Sequence, residues 1–144
     1  MFEKILYPTD FSDVAKKALK YIRQLKEAGA KEIVVLHVLD EKGIDAVNRY
    51  TPAESLEIIQ RIEEGTKKKL KTIQTKLEKE GFTVKVMIKR GIPLQEILAA
   101  EKKERVSTLV LGSHGVSNVK EMFLGSVSEK VIRKSTKPVL VVRR

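Results

Sequence analysis

The chain predicts an α/β domain, a doubly wound five-stranded parallel sheet with helices on both faces. Three observations carry this. Strand-length apolar runs alternate with helix-length amphipathic runs along the whole sequence. The runs "EIVVLHV" (32–38) and "VSTLVL" (106–111) are almost continuously apolar, as strands covered on both faces must be. The segments between strands are long enough to serve as right-handed crossovers.

In order, "FEKILYP" (2–8) reads as the first strand, closed by Pro8, and "PTDFS" follows as a loop. Ser12 is the N-cap of a helix running to about residue 28. Val14, Ala15, Ala18, Leu19, Ile22 and Leu25 fall on one face of it, and Gly29 stops it. After the second strand, residues 40–52 form a polar connection to which no structure is assigned. A long helix spans about 53–80, with Leu56, Ile59, Ile62, Leu70, Ile73 and Leu77 inward and Gly81 at its end. "FTVKVMIK" (82–89) alternates: Phe82, Val84, Val86 and Ile88 face one way, Thr83, Lys85 and Lys89 the other. Such a pattern suits a sheet edge. Gly91 and Pro93 open a short helix that buries Leu94, Ile97 and Leu98. The strand 106–111 follows, then a helix over about 126–134 and a last strand, "PVLVV" (138–142). The reading is five strands and four helices, one domain over residues 1–144.

The 144 residues suffice to bury a core without staples. There is no cysteine, which excludes disulfides and thiolate metal sites. No apolar run approaches the ~20 residues of a membrane-spanning helix. "MFEKILYPTD" lacks the pattern of a secretory signal, so a cytoplasmic location with no membrane partner is expected. The net charge is +10, from 29 basic and 19 acidic residues. Acidic residues are interleaved with the basic ones and only 5% of residues are aromatic, so the charge reads as a solvated surface and nucleic acid is not the expected partner. "KKKLK" (67–71) and "RKSTK" (133–137) are the clusters that would support it.

The segment "GSHGVSNVKEMFLGS" (112–126) carries the chemistry. In an open parallel sheet a ligand binds beyond the C-terminal strand ends, where the strand order reverses. If the first strand lies beside the fourth, "PTDFS" and "GSHG" meet there. Gly112 and Gly115 let backbone N–H groups approach a ligand, and Gly125, Ser126, Val127 and Ser128 open a helix whose N-terminus attracts anions. Ser126 and Ser128 would add hydroxyl donors. On these grounds alone, phosphate binding and plain turn chemistry both stand, with Ser126 as an N-cap in the second. There is no G-x-x-x-x-G-K-[ST], no G-x-G-x-x-G and no H-E-x-x-H. His37, in a strand, reads as a packed or hydrogen-bonded residue, and His114, in the glycine loop, as a candidate ligand contact. A triad of Asp10, His114 and Ser113 or Ser126 is rejected for want of the G-x-S-x-G elbow. Asp10 reads as a contact to nucleotide or to a phosphate-bound metal, or as a cap on the following helix.

The sequence resembles the nucleotide-binding branch of the universal stress protein family. The pattern G-x2-G-x9-G-[ST] is met by Gly112, Gly115, Gly125 and Ser126, and the opening "KILYPTDFS" and ending "KPVLVV" are similar to that family across essentially the whole chain. The resemblance implies the strand order 3-2-1-4-5 and an ATP site. Pro8, Thr9 and Asp10 would lie by adenine and ribose, and the Val38 backbone would meet the adenine edge. Leu111, Gly112, His114 and Gly115 would flank ribose and α-phosphate. Gly125, Ser126, Val127 and Ser128 would hold the outer phosphates. Mg²⁺ or Mn²⁺ would accompany the phosphates, with Asp10 as its contact. The resemblance also implies a homodimer through the C-terminal strand, whose apolar edge invites pairing in any case.

The function expected is an ATP-binding stress-response module acting on a protein partner the sequence does not name. No residue is evidently set to activate water at a γ-phosphate, none is assigned a catalytic role, and no arginine finger is identifiable, so hydrolysis should be slow or partner-dependent. The alternatives are a genuine ATPase or nucleotidyl-transferring enzyme, and a nucleotide-independent dimeric interaction protein.

Overall fold

The computed structural model describes residues 1–114 and 124–144. Its elements are β1 (Lys4–Pro8), α1 (Asp13–Leu25), β2 (Glu32–Asp40), α2 (Glu41–Tyr50), α3 (Ser55–Lys79), β3 (Thr83–Gly91), α4 (Pro93–Lys103), β4 (Thr108–Gly112), α5 (Ser126–Lys134) and β5 (Val139–Val142). All strand pairs are parallel and the order is β3-β2-β1-β4-β5, so β3 stands at an edge as its alternation predicts.

The period-two alternation of the strands divides the core in two. Ile5, Tyr7, Ile33, Val35 and Val110 face α1 and α3, where Ala18, Leu19, Ile22, Leu70 and Leu77 cover them. Leu6, Val34, Leu36, Leu109 and Leu111 face α4 and α5, which bring Ile97, Ala100 and Val131. Ser12 caps α1 as expected, its hydroxyl accepting from Ala15 N at 3.2 Å. α1 is shorter than read, ending at Leu25. The turn behind it closes at Gly29, whose φ of +102° is a glycine conformation.

Three further features depart from the sequence reading. Residues 41–50 form a fifth helix where none was assigned. Asp40 caps it, accepting from Lys42 N at 3.0 Å, and it contains no buried residue. Leu56 and Ile62, expected inward, are 72% and 40% exposed. Ile59, between them, is buried at 7%, so the sheet still reaches this part of α3. The reason is angular: Leu56 and Ile62 fall about 60° to either side of the line through Ile59, Leu70 and Leu77. Leu94 and Leu98 are half-buried rather than buried.

Candidate functional site

The chain reverses its direction of progression across the sheet between β1 and β4, and the loops leaving them part at the C-terminal edge. On the β1 side, residues 9–12 are held by two side-chain turns. Phe11 N donates to Thr9 Oγ1 at 3.1 Å, and Ser12 N to Asp10 Oδ1 at 2.9 Å. Phe11 itself sits at φ 65°, a conformation that costs a bulky side chain about 1 kcal/mol or more. Its ring contacts offset this: it stacks on His37 at 4.7 Å between centroids, and Lys69 Nζ lies 5.1 Å from its centroid. His37 Nδ1 lies 2.7 Å from the Thr9 carbonyl. A carbonyl only accepts, so Nδ1 carries the proton. Beneath the loop, Tyr7 Oη donates to the Ala15 carbonyl and ties β1 to the first turn of α1. Burial pushes this phenol up to about 12, so it stays a donor at any ordinary pH.

On the other side, β4 ends at Gly112 against the start of α1. A Cβ there would stand 2.8 Å from Val14 Cγ1 and 3.2 Å from Ala15 N. Glycine is thus required here by helix packing alone. Ser113 N donates to the Val142 carbonyl at 2.8 Å, and Gly125 N to the Ser113 carbonyl at 2.6 Å, which seats α5 beside β4. Gly125, not Ser126, is the N-cap, and it has no side chain to offer. The first bond of the helix ladder is from Glu129 N to the Gly125 carbonyl at 2.9 Å. The N–H groups of Ser126, Val127 and Ser128 therefore have no carbonyl partner within the helix. The Ser128 hydroxyl donates to the Gly112 carbonyl at 2.7 Å, so its proton is committed to the protein. Ser113 Oγ and His114 Nδ1 share a hydrogen bond of 2.7 Å, and both residues are buried.

Between these walls lies a cavity of about 420 Å³. Pro8, Thr9 and Asp10 line it from β1 and its loop, Val38 from β2, Leu111, Gly112 and His114 from β4, and Gly125, Ser126, Val127 and Ser128 from α5. Gly115 lies outside the described residues. Ser113 does not reach the cavity. His37 is hydrogen-bonded and stacked as expected, yet it also lines the wall. Sequence reasoning missed Ala15, Leu36, Asp40, Pro93 and Ile97. Ala15, Leu36 and Ile97 carry the same apolar signal as any core residue. Asp40 is the last residue of β2 and Pro93 the first of α4, just past β3, places that become informative only once the strand order is known. Among the described residues no lysine or arginine lines the cavity, and no group of three or more His, Asp or Glu could hold a metal by itself.

Comparison with known proteins bears on the same architecture. The family model described as the Universal stress protein family matches residues 1–143. The chain belongs to the universal stress protein family. Among relatives of this universal stress protein is MJ0577 of Methanocaldococcus jannaschii, 42% identical over 156 residues covering 100% of this chain and 96% of the relative. The solved structure of MJ0577 superposes with a TM-score of 0.91 at 45% identity, covering 100% of this chain and 97% of that one. Universal stress protein YxiE of Bacillus subtilis is 36% identical over 148 residues, 99% of this chain and 100% of the relative. The AMP-bound universal stress protein from Arabidopsis thaliana shares the fold, with a TM-score of 0.63 at 21% identity over 98% of this chain and 91% of that one.

Proposed function

We propose that this universal stress protein binds ATP in the cavity at the reversal point and acts as a nucleotide-dependent regulatory module of the stress response, with a downstream protein as its partner. The observation that carries the reading is the uncapped start of α5. Three N–H groups with no helix partner open on a cavity already walled by the β1 and β4 loops, and such a terminus favours phosphate. The apolar wall of Leu36, Val38, Ile97 and Leu111 suits a base, and Asp10 suits a ribose hydroxyl. Asp10 also fits a divalent cation held chiefly by the phosphates, since Mg²⁺ is commonly bound through one or two carboxylates plus phosphate oxygens. Such an ion would supply the positive charge that no lysine or arginine among the described residues brings to the cavity. Among the described residues no arginine finger reaches the cavity, in keeping with slow or partner-dependent hydrolysis.

The test is calorimetric titration of nucleotide-free protein with ATP, with and without Mg²⁺, in the parent and in Ser126→Pro. Gly125 has φ −62° and ψ 154°, which a following proline accepts, and proline is well tolerated at the first helical position. The substitution removes one N–H and leaves the helix. A charge-assisted hydrogen bond is worth about 1.5–3 kcal/mol, so ATP affinity should fall at least tenfold with the melting temperature unchanged. Ser126→Ala separates the hydroxyl from the N–H and should bind nearly as the parent does. Equal affinity in parent and Ser126→Pro would remove the phosphate cradle.

The proposal includes a homodimer through β5. This strand is an edge of the sheet, and Leu140 on it and Ile132 on α5 are 37% and 40% exposed. Sedimentation should show a dimer that Leu140→Lys dissociates, and a monomeric parent at micromolar concentration would refute it.

A further inference from the structure

The positive charge is not spread as the interleaving of the sequence suggests. α1 with the turn behind it (13–31) and the later part of α3 (65–79) hold twelve of the 29 basic residues and three of the 19 acidic ones. The remaining chain is nearly balanced, with 17 basic and 16 acidic residues. These two segments lie on one face of the sheet. Ala18, Leu19 and Ile22 pack in the same core as Leu70 and Leu77, and Arg23 and Lys26 reach across to Glu80.

The first half of α3 provides an internal comparison. There Glu57, Glu63 and Glu64, with Glu54 just before the helix, accompany Arg61. Arg61 pairs with Glu57, and Glu63 with Arg90. Past Gly65 the pattern changes. Lys67, Lys68, Lys71, Lys76 and Lys79, with Lys16 and Lys20 on α1, are exposed and have no ion-pair partner among the described residues. The first half thus mixes both signs, whereas the later part presents one sign almost alone.

We infer that the α1–α3 face is an electrostatic docking surface for the phosphate backbone of duplex nucleic acid, independent of base sequence. Chemistry selects this partner over others. The free cations are lysines, point charges that suit phosphates and lack the planar fork by which arginine reads guanine. Protein interfaces are depleted in lysine and centred on aromatic anchors, and Tyr21 is the only exposed large hydrophobic residue on these segments. A membrane-seeking helix presents apolar side chains beside its basic ones, and the later part of α3 exposes none. Single strands need a series of stacking platforms, and Tyr21 is the only exposed aromatic residue on these two segments. A row from Lys68 to Lys79 runs about 16 Å, commensurate with the closely spaced phosphates of a duplex. This inference does not rest on the nucleotide reading.

The test is fluorescence anisotropy of a random-sequence DNA duplex titrated with the full chain between 50 and 200 mM KCl. Three proteins are compared: the parent, Lys16→Gln/Lys20→Gln/Lys68→Gln/Lys76→Gln, and Lys102→Gln/Lys103→Gln/Lys130→Gln/Lys134→Gln. The last loses the same charge from α4 and α5 on the opposite face. The parent should bind with a steep log–log salt slope. The first variant should lose about 3 to 4 units of that slope, roughly 0.9 for each phosphate contact removed, while the second keeps most of it. Equal melting temperatures establish that both variants are folded. No parent binding at 50 mM KCl, equal weakening of the two variants, or tighter binding to phosphatidylserine vesicles or polyglutamate than to duplex would each overturn the proposal.

Discussion

Gly112→Ala is expected to lower the unfolding free energy by about 2 kcal/mol, the usual scale for forcing atoms into a packed interface. The added carbon would stand 2.8 Å from Val14 Cγ1 and 3.2 Å from two backbone atoms of α1. A side-chain methyl could rotate aside, but Ala15 N and Val14 C move only with the helix. The first turn of α1 must then shift from β4. That turn carries Ala15, a wall of the cavity, whose carbonyl is held by Tyr7 from below. The substitution should therefore reduce ATP affinity more than tenfold as well as stability. Urea unfolding and calorimetry check the two effects on one preparation. An unchanged urea midpoint would show that the α1–β4 contact yields freely.

Glu101→Ala should cost about 3 kcal/mol, because it strips several donors of a charged, buried acceptor at once. Glu101, on α4, is 4% exposed. It accepts from Ser135 Oγ at 2.6 Å, Thr136 Oγ1 at 2.8 Å and Thr136 N at 3.0 Å. It thereby staples the turn between α5 and β5, and with it the direction in which α5 points. Burial alone would push this carboxyl up. The hydrogen bonds from Ser135 and Thr136, with help from Lys137, outweigh it and hold the group below the usual carboxylate range. Glu104 is also held low, chiefly by the Lys85 ammonium. A carboxyl with a depressed folded pKa contributes stability that is fully present above its unfolded value of about 4.3 and lost as pH falls through the folded value. The stability gap between the parent and Glu101→Gln should therefore narrow steadily as pH is lowered from about 5 to about 3. A gap that stays constant over this range would show that the carboxylate charge contributes nothing at this turn.

Where packing follows from local periodicity, the sequence reading and the structure agree. The five buried positions of α1, the edge placement of β3 and the start of α5 at Ser126 are all written in spacing and in turn residues. Where the width of the covered stripe decides, the reading fails. Leu56 and Ile62 hold helical spacing, yet they flank the line of Ile59, Leu70 and Leu77 rather than lie on it, and only that line is buried. α2 was illegible because Ile44 and Val47 are its only half-buried positions, and Gly43 argues against a helix. The cavity was legible where glycine and serine mark it. Asp40, Pro93 and Ile97 were not, because their convergence is a property of strand order. Gly112 was read as making room for a ligand, whereas the nearest obstruction to a side chain there is α1.

The strand order has a consequence for how the protein comes into being. The two strands that flank the cavity are distant in the chain: Ile5 pairs with Thr108, and Lys4 N donates to Ser107 Oγ across 103 residues. The walls come from five separate stretches between Pro8 and Ser128. Closing so long a loop is paid for before the contacts it brings can form. On the ribosome, an emerging chain that has already made β1, β2 and β3 still has no pocket. The pocket is complete only once β4 lies beside β1 and α5 beyond it. A small molecule that fills it can engage only the finished fold, so occupancy shifts the folding equilibrium by mass action rather than guiding its early stages.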